Sequence, residues 1–389
     1  MKRLLSLLMV FILLLSGCAE KTDEPENPLA EWERNANLTA DETPEQLYAA
    51  ALEEDTLVVY STSTRMMDVA KSFERQYPGL TVKVQDIREG DLYDKLEDSF
   101  ESGRFDCDVV CSADGRGIMT SEFLSNGIVY KYVPYDMADY ILPGYNDDLL
   151  MLAGEAIMLN YNDAYYNSPP VQNWWELTEE IWLGKVYMPN PTRSVTSLAF
   201  LSIFIQHSEE MAVAYEERYG EPLLLSDEES AGEHFIRLLM ANDLVVVNSS
   251  DEVAEMAFAP TATAPDALGI LVSSKVRLRR IGYTMMYAEE MTPFCGISVP
   301  ISIMMAGGAK NANAAKLFIR WILGEADGQG EGYPPYLQGG AWSIRNDVQS
   351  ETEEIAALDL IQIDRLYING NYESILTLWR ELVEARQQN

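Results

Sequence analysis

Apolar positions along this chain recur with two different periods, one suited to strands and one to helices. Thr56-Leu57-Val58-Val59-Tyr60 is a short apolar run that reads as a buried strand, and the polar loop Ser61-Thr62-Ser63-Thr64 follows it. Val69, Phe73 and Tyr77 then recur every fourth residue, one face of a helix that Pro78-Gly79 stops. Residues 80–85 alternate as a strand does, and Leu92, Leu96 and Phe100 mark a second helix. A third strand, 107–111, precedes the polar turn Ser112-Ala113-Asp114-Gly115. This strand-helix alternation with short connections predicts a parallel sheet flanked by helices. In such sheets ligands sit beyond the carboxyl ends of the strands, here the loops 61–64, 86–91 and 112–115.

Further along, strands are expected at 155–160, 185–188 and 268–272 and through the β-rich stretch 297–305. Helices are expected at 174–182, 198–206, 227–241, 251–258, 309–323, 352–363 and 371–386. The polar run Pro189-Asn190-Pro191-Thr192-Arg193-Ser194-Val195-Thr196-Ser197 leads into the helix at 198. No internal repeat is visible.

The amino terminus has a different pattern. Lys2 and Arg3 precede an almost unbroken apolar run, Leu4 to Leu15, which reads as a secretory signal too short to span a bilayer. Leu15-Ser16-Gly17-Cys18 resembles the bacterial lipobox, which implies a signal peptide of residues 1–17, cleavage before Cys18 and acylation of its thiol. The membrane partner would then be lipid, reached through the acyl chains. Residues 18–42 are rich in Glu, Asp, Asn and Thr and are expected to form a flexible tether. Thr43-Pro44-Glu45-Gln46 has the form of a capping box with proline at the first helical position, so folded structure is expected from there.

The remaining chain, about 340 residues, exceeds what one core usually organises, so two domains are expected. The formal net charge is −34, with 28 Lys and Arg against 62 Asp and Glu. Nucleic acid is excluded as a partner, because its binders need clustered positive charge. Cys107 and Cys111 lie four residues apart in one strand, about 13 Å, too far to bridge. The three cysteines beyond Cys18 are expected to pack in the core, with a cleft wall as the alternative for Cys295. No GxSxG or HExxH motif occurs, and 2 histidines leave little for general-base work, so no enzyme and no cofactor are expected.

Several stretches, taken in order, resemble family 1 extracellular solute-binding proteins of ABC importers, near the ferric-ion-binding branch. They are Leu57-Val58-Val59-Tyr60-Ser61 with Phe73-Glu74-Arg75-Gln76-Tyr77-Pro78-Gly79, and Asp106-Cys107-Asp108-Val109-Val110 with Ser112-Ala113-Asp114. Leu159-Asn160-Tyr161-Asn162, Trp182-Leu183-Gly184-Lys185-Val186 and Met188-Pro189-Asn190-Pro191 continue the series. Gly296-Ile297-Ser298-Val299-Pro300 and the stretch 308–319 complete it. The resemblance implies an α/β, two-lobed type II periplasmic-binding fold, each lobe a mostly parallel sheet flanked by helices, with the ligand cleft between the lobes. Lobe one would hold 48–155 and 295–335, and lobe two 156–294 and 336–389. It also implies a monomer that closes on a small molecule and docks on an importer permease.

The candidate site is polar. Ser61, Thr62 and Ser63 lie at a strand end that runs into a helix, and Arg193, Ser194, Thr196 and Ser197 precede another. Helix amino termini have unpaired N–H groups and suit anions, and an arginine adds bidentate contacts to phosphate, phosphonate or carboxylate. These positions match those at which the family contacts its ligands, as do Glu89, Gly90, Ser112, Ala113 and Asp114. Iron-binding members of the family use adjacent tyrosines in the second lobe, but the corresponding region, 257–275, has no tyrosine. The doublet Tyr165-Tyr166 lies elsewhere and reads as packing, and His207 and His234 lie away from the cleft loops and read as solvent-facing. No metal site is therefore expected, and an anionic organic solute is favoured over ferric iron or an iron chelate. Tyr333, Tyr336 and Trp342 are alternative stacking faces for a sugar or heterocycle if their loop borders the cleft. A sensor that docks on a membrane signalling protein is the rival class on the same fold.

Overall fold

The computed structural model describes residues 29–226 and 229–388. The expected signal segment and the expected acylation site Cys18 lie outside the described residues. The chain opens with helices α1 (Ala30–Ala36) and α2 (Pro44–Ala51), then β1 (Leu57–Ser61), α3 (Met66–Gln76), β2 (Val82–Asp86), α4 (Glu89–Ser102) and β3 (Val109–Ser112). Strands β4 (Val129–Tyr130), β5 (Leu150–Ala153), β6 (Ala156–Tyr161) and β7 (Val186–Pro189) follow. Next come α5 (Val195–Gln206), α6 (Ser208–Tyr219), α7 (Ala231–Ala241), β8 (Val245–Val247), α8 (Ser250–Phe258) and β9 (Leu268–Val272). The last elements are β10 (Met286–Tyr287), β11 (Gly296–Ser298), β12 (Ile301–Ala306), α9 (Ala312–Ile322), β13 (Leu360–Gln362) and α10 (Arg365–Gln387).

Local chemistry explains several boundaries. Thr43 caps α2 by accepting from the Gln46 amide while Gln46 accepts from the Thr43 amide, the reciprocal capping box. Ser230 and Glu233 do the same for α7. Val69 and Phe73 of α3 are fully buried, and Phe73 packs edge-on against Phe318 of α9 with ring centroids 5.1 Å apart.

The strands form two sheets. The first runs β2-β1-β3-β12-β4, with β5 also on β12. The second runs β13-β11-β6-β9-β7-β8, with β10 also on β6. Each sheet has its own core, Phe73, Phe123 and Phe318 beneath the first and Trp174, Phe204 and Phe235 beneath the second. Both sheets are mixed: β1, β2 and β3 run parallel but β12 lies antiparallel to β3, and β6 lies antiparallel to β9. The antiparallel members are the strands through which the chain passes between lobes. It crosses between β5 and β6, returns between β11 and β12, and crosses again between Ile344, in the first core, and β13. At the first crossing Gly154 and Trp342 exchange two backbone hydrogen bonds of 3.0 Å. A Cβ on Gly154 would lie 1.9 Å from the Trp342 ring, so this approach requires glycine.

Several expectations are corrected. Residues 29–42 are not a free tether: Leu29 is buried, Trp32 donates its indole N–H to the Ala309 carbonyl at 2.8 Å, and the Ala36 carbonyl accepts from the Lys316 ammonium at 3.0 Å. Leu29, Trp32 and Leu38 supply enough apolar surface to dock this segment on lobe one. The stretch 297–305 is two strands in different sheets, so β11 belongs with lobe two rather than lobe one. Tyr336 and Ile344 pack in the first core, whereas α10 packs in the second, so 336–389 divides between lobes. The helix expected at 174–182 is two short 3-10 turns, and that at 352–363 is a 3-10 turn followed by β13. Among the described residues no helix is long and apolar enough to cross a membrane.

Candidate functional site

Register brings functional loops together. In the first sheet Ser61 pairs with Asp86 and with Cys111, so β1, β2 and β3 all end at one edge, where β12 begins. In the second sheet Pro189 pairs with Val247, and Val186 of β7 with Leu268 of β9, so β7, β8 and β9 also end together. Ile157 near the start of β6 pairs with Val272, which puts the first crossing at that edge too. The two edges face each other across a cleft of about 560 Å³.

Of the residues singled out from sequence, Thr62, Ser63, Glu89, Ala113, Arg193, Ser194, Thr196 and Ser197 line this cleft. Three others lie behind it and one lies outside it. The Ser61 hydroxyl is fully buried and accepts from the Ser63 amide at 3.0 Å, tying the loop in place. Ser112 donates to Glu89 Oε1 at 2.5 Å. Asp114 accepts from the amides of Met119 and Thr120, both at 3.0 Å, and so caps the following turn of π-helix. Gly90 is absent from the cleft wall, lying on the exposed side of the first turn of α4.

The cleft holds charges that sequence reading missed. Arg65, Arg88, Lys275 and Arg277 line it, as do the carboxylates Asp86, Glu155 and Asp251. Arg65 pairs with Glu155 at 2.5 Å, its guanidinium lying 4.4 Å from the Tyr336 ring centroid. Lys275 pairs with Asp251 at 2.5 Å. Among the described residues the Arg193 side chain donates only to the side-chain carbonyl of Asn248, at 2.9 Å, and that of Arg277 only to the Ser274 backbone carbonyl, at 2.6 Å. Among the described residues Arg88, Arg193 and Arg277 have no carboxylate partner. Burial, with the like charge of Arg65 next in weight, depresses the Arg277 pKa. Burial raises the Glu89 carboxyl above its ordinary range, against the hydrogen bonds from Ser112 and the Gly115 amide.

Two helix amino termini open into the same space. Ser194 caps α5 by accepting from the Ser197 amide, which leaves the amides of Val195 and Thr196 without an acceptor among the described residues. Ser249 caps α8 by accepting from Glu252, and the amides of Ser250 and Asp251 are free in the same sense. Free amides and cations form a surface suited to an anion.

The other candidates lie elsewhere. Tyr165 and Tyr166 meet edge-to-face with ring centroids 4.8 Å apart and Tyr166 continues to Trp182, a packing chain outside the cleft wall. Tyr333, Tyr336 and Trp342 are buried, so their rings are core and not stacking faces. The Cys295 thiol is buried and donates to the Glu289 carbonyl. His207 and His234 are half-buried rather than solvent-facing, paired with Glu210 and Glu229. Among the described residues no group of three or more His, Cys, Asp or Glu side chains is arranged to hold a metal ion.

Two lobes with separate cores, joined by chain crossings and enclosing a polar cleft at their facing strand ends, define the type II periplasmic-binding architecture. The same fold is seen in iron-bound HitA from Pseudomonas aeruginosa, at 16% identity and a TM-score of 0.60, over 84% of this chain and 99% of that one. AfuA from Actinobacillus pleuropneumoniae, with exogenous fructose-6-phosphate bound, gives 16% and 0.61 over 85% and 99%. A periplasmic thiamin binding protein gives 15% and 0.61 over 85% and 96%. Residues 49–191 match the family of bacterial extracellular solute-binding proteins. No curated protein matches the sequence.

Proposed function

We propose that this protein captures a small anionic organic solute outside the cytoplasm, in a cleft that closes around it, and delivers it to an ABC importer. The observation that carries the reading is the pairing of Arg88 from lobe one with Arg193 from lobe two. Both line the cleft into which the free amides of α5 and α8 open, and neither has a carboxylate partner among the described residues. In a chain of net charge −34, cations left unpaired at one place mark where an anion neutralises them. The cleft of about 560 Å³ falls in the range of about 300–1,000 Å³ that suits organic ligands, well above what a bare ion fills. AfuA holds a sugar phosphate on the same fold, which agrees with this chemistry.

The test is a thermal-shift screen of residues 29–389 after unfolding and refolding to strip carried-over ligand, with sugar phosphates, phosphonates, ferric citrate and thiamine. Stabilisation by phosphate esters or phosphonates, lost in Arg193→Gln, is the expected result. A ligand at 100-fold its Kd stabilises by about 2.7 kcal/mol, which a melting curve resolves. Stabilisation by ferric citrate or thiamine alone would replace the anion reading.

A further inference from the structure

The cations of the cleft fall into two groups. Arg193 issues from the end of β7 and neighbours the free amides of α5 and α8. Arg277 lies on the 3-10 turn Ser273–Ile281 that follows β9, beside the crossing into β6. Its place there is fixed by Ser273, which accepts from the Ala156 amide at 3.0 Å and donates to the Gly340 carbonyl at 2.5 Å. The charges around Arg277 do not neutralise it. Glu155 is already paired with Arg65 and Asp251 with Lys275, so Arg277 is the surplus cation in a cluster of three. A guanidinium has five N–H donors, and among the described residues only one of those on Arg277 meets an acceptor, the Ser274 carbonyl. Its desolvation beside a second arginine is costly until an anion arrives.

We propose that the solute bears two anionic groups, one held by Arg193 with the α5 and α8 amino termini and the other by Arg277. Strands β7 and β9 are neighbours with their ends in register, and adjacent strands lie about 5 Å apart. Two side chains reaching inward from those ends span a distance that one small metabolite covers. The ligand class is therefore a phosphorylated sugar acid, a bisphosphate or a phosphonocarboxylate. This deepens the anionic reading above and rests on it.

Matched pairs of probes separate the two claims. Glycerol 3-phosphate against 3-phosphoglycerate, glucose 6-phosphate against 6-phosphogluconate, and fructose 6-phosphate against fructose 1,6-bisphosphate each differ by one anionic group. Isothermal titration of the refolded protein is expected to show at least one doubly anionic member binding tenfold or more tighter than its partner. Arg277→Gln should erase that difference by weakening the doubly anionic member far more than its partner, whereas Arg193→Gln should weaken both alike. Melting curves of both variants show that they fold. Equal affinity within every pair that binds, or an Arg277→Gln effect equal on both members, overturns the two-anion inference alone. Binding by no phosphate ester in any pair overturns the anionic reading with it.

Discussion

Glu89 is the carboxylate whose environment is most at odds with its charge. It lines the cleft, is half-buried, and accepts from the Ser112 hydroxyl and the Gly115 amide with the same oxygen, Oε1. Burial raises its pKa in the folded state. The protonated carboxyl is thus favoured by folding, so this group's contribution to stability is complete below its unfolded value of about 4.3 and is lost as pH rises through the folded value. Glu89→Gln keeps an acceptor at Oε1 and removes the ionisable proton. The variant's melting temperature relative to the parent should therefore climb as pH goes from 4 to 8. A difference that stays flat across that range would show that burial does not govern Glu89. At the same scale, polar loops at strand ends made Thr62, Ser63, Glu89, Arg193, Ser194, Thr196 and Ser197 legible from sequence, because a register-locked sheet edge needs only strand order to locate. Arg65 and Arg277 gave no such signal. One stands at the N-cap of α3, where an arginine is unremarkable, and the other on a 3-10 turn without amphipathic period, and only the packing of the crossings brings them to the cleft.

At the scale of elements, the lobes also meet away from the crossings. The loop after β3 packs against the amino terminus of α10. Arg365 donates to the Ala113 carbonyl at 3.1 Å and lies 3.5 Å from the buried Asp114 carboxylate, while Asn369 donates to Glu122 at 2.8 Å and Arg116 covers the Tyr372 ring at 4.6 Å. Gly117, with φ of +77°, sits where a Cβ would come within 2.1 Å of the Arg365 carbonyl oxygen. An alanine there is strained by about 1–2 kcal/mol and also wedges the contact apart. Gly103, with φ of +65° and open space around it, supplies the same strain without the wedge. Gly117→Ala should raise the radius of gyration in small-angle scattering and weaken solute binding severalfold, and Gly103→Ala should do neither. Matching behaviour of the two would mean that this contact does not hold the lobes together. None of this was legible beforehand, since α10 was expected only as a closing helix and its contact with the loop after β3 joins residues some 250 positions apart. The docked segment at 29–42 was hidden for a related reason: its mean polarity conceals Leu29, Trp32 and Leu38, which act individually.

For the whole molecule, the cleft and the body oppose each other in charge. The chain has a net charge of −34, yet Arg88, Arg193 and Arg277 leave the cleft with cations no carboxylate neutralises among the described residues. An anion approaching from a distance meets the field of the body first, and only near the mouth does the local positive charge prevail. Salt separates these ranges. At about 10 mM ionic strength the Debye length is about 30 Å, so the acidic surface repels across the whole approach; at about 150 mM it is about 8 Å, and the cleft cations act with the distant carboxylates screened. Association of an anionic solute should therefore quicken severalfold between those salt concentrations, the reverse of the usual behaviour of oppositely charged partners. Stopped-flow tryptophan fluorescence reads this directly. In Arg193→Gln the acceleration should shrink, because removing a mouth cation leaves less attraction to uncover. An association rate that falls with added salt in the parent protein would mean that the cleft field reaches beyond the body's at every range, and that the acidic surface has no part in gating entry.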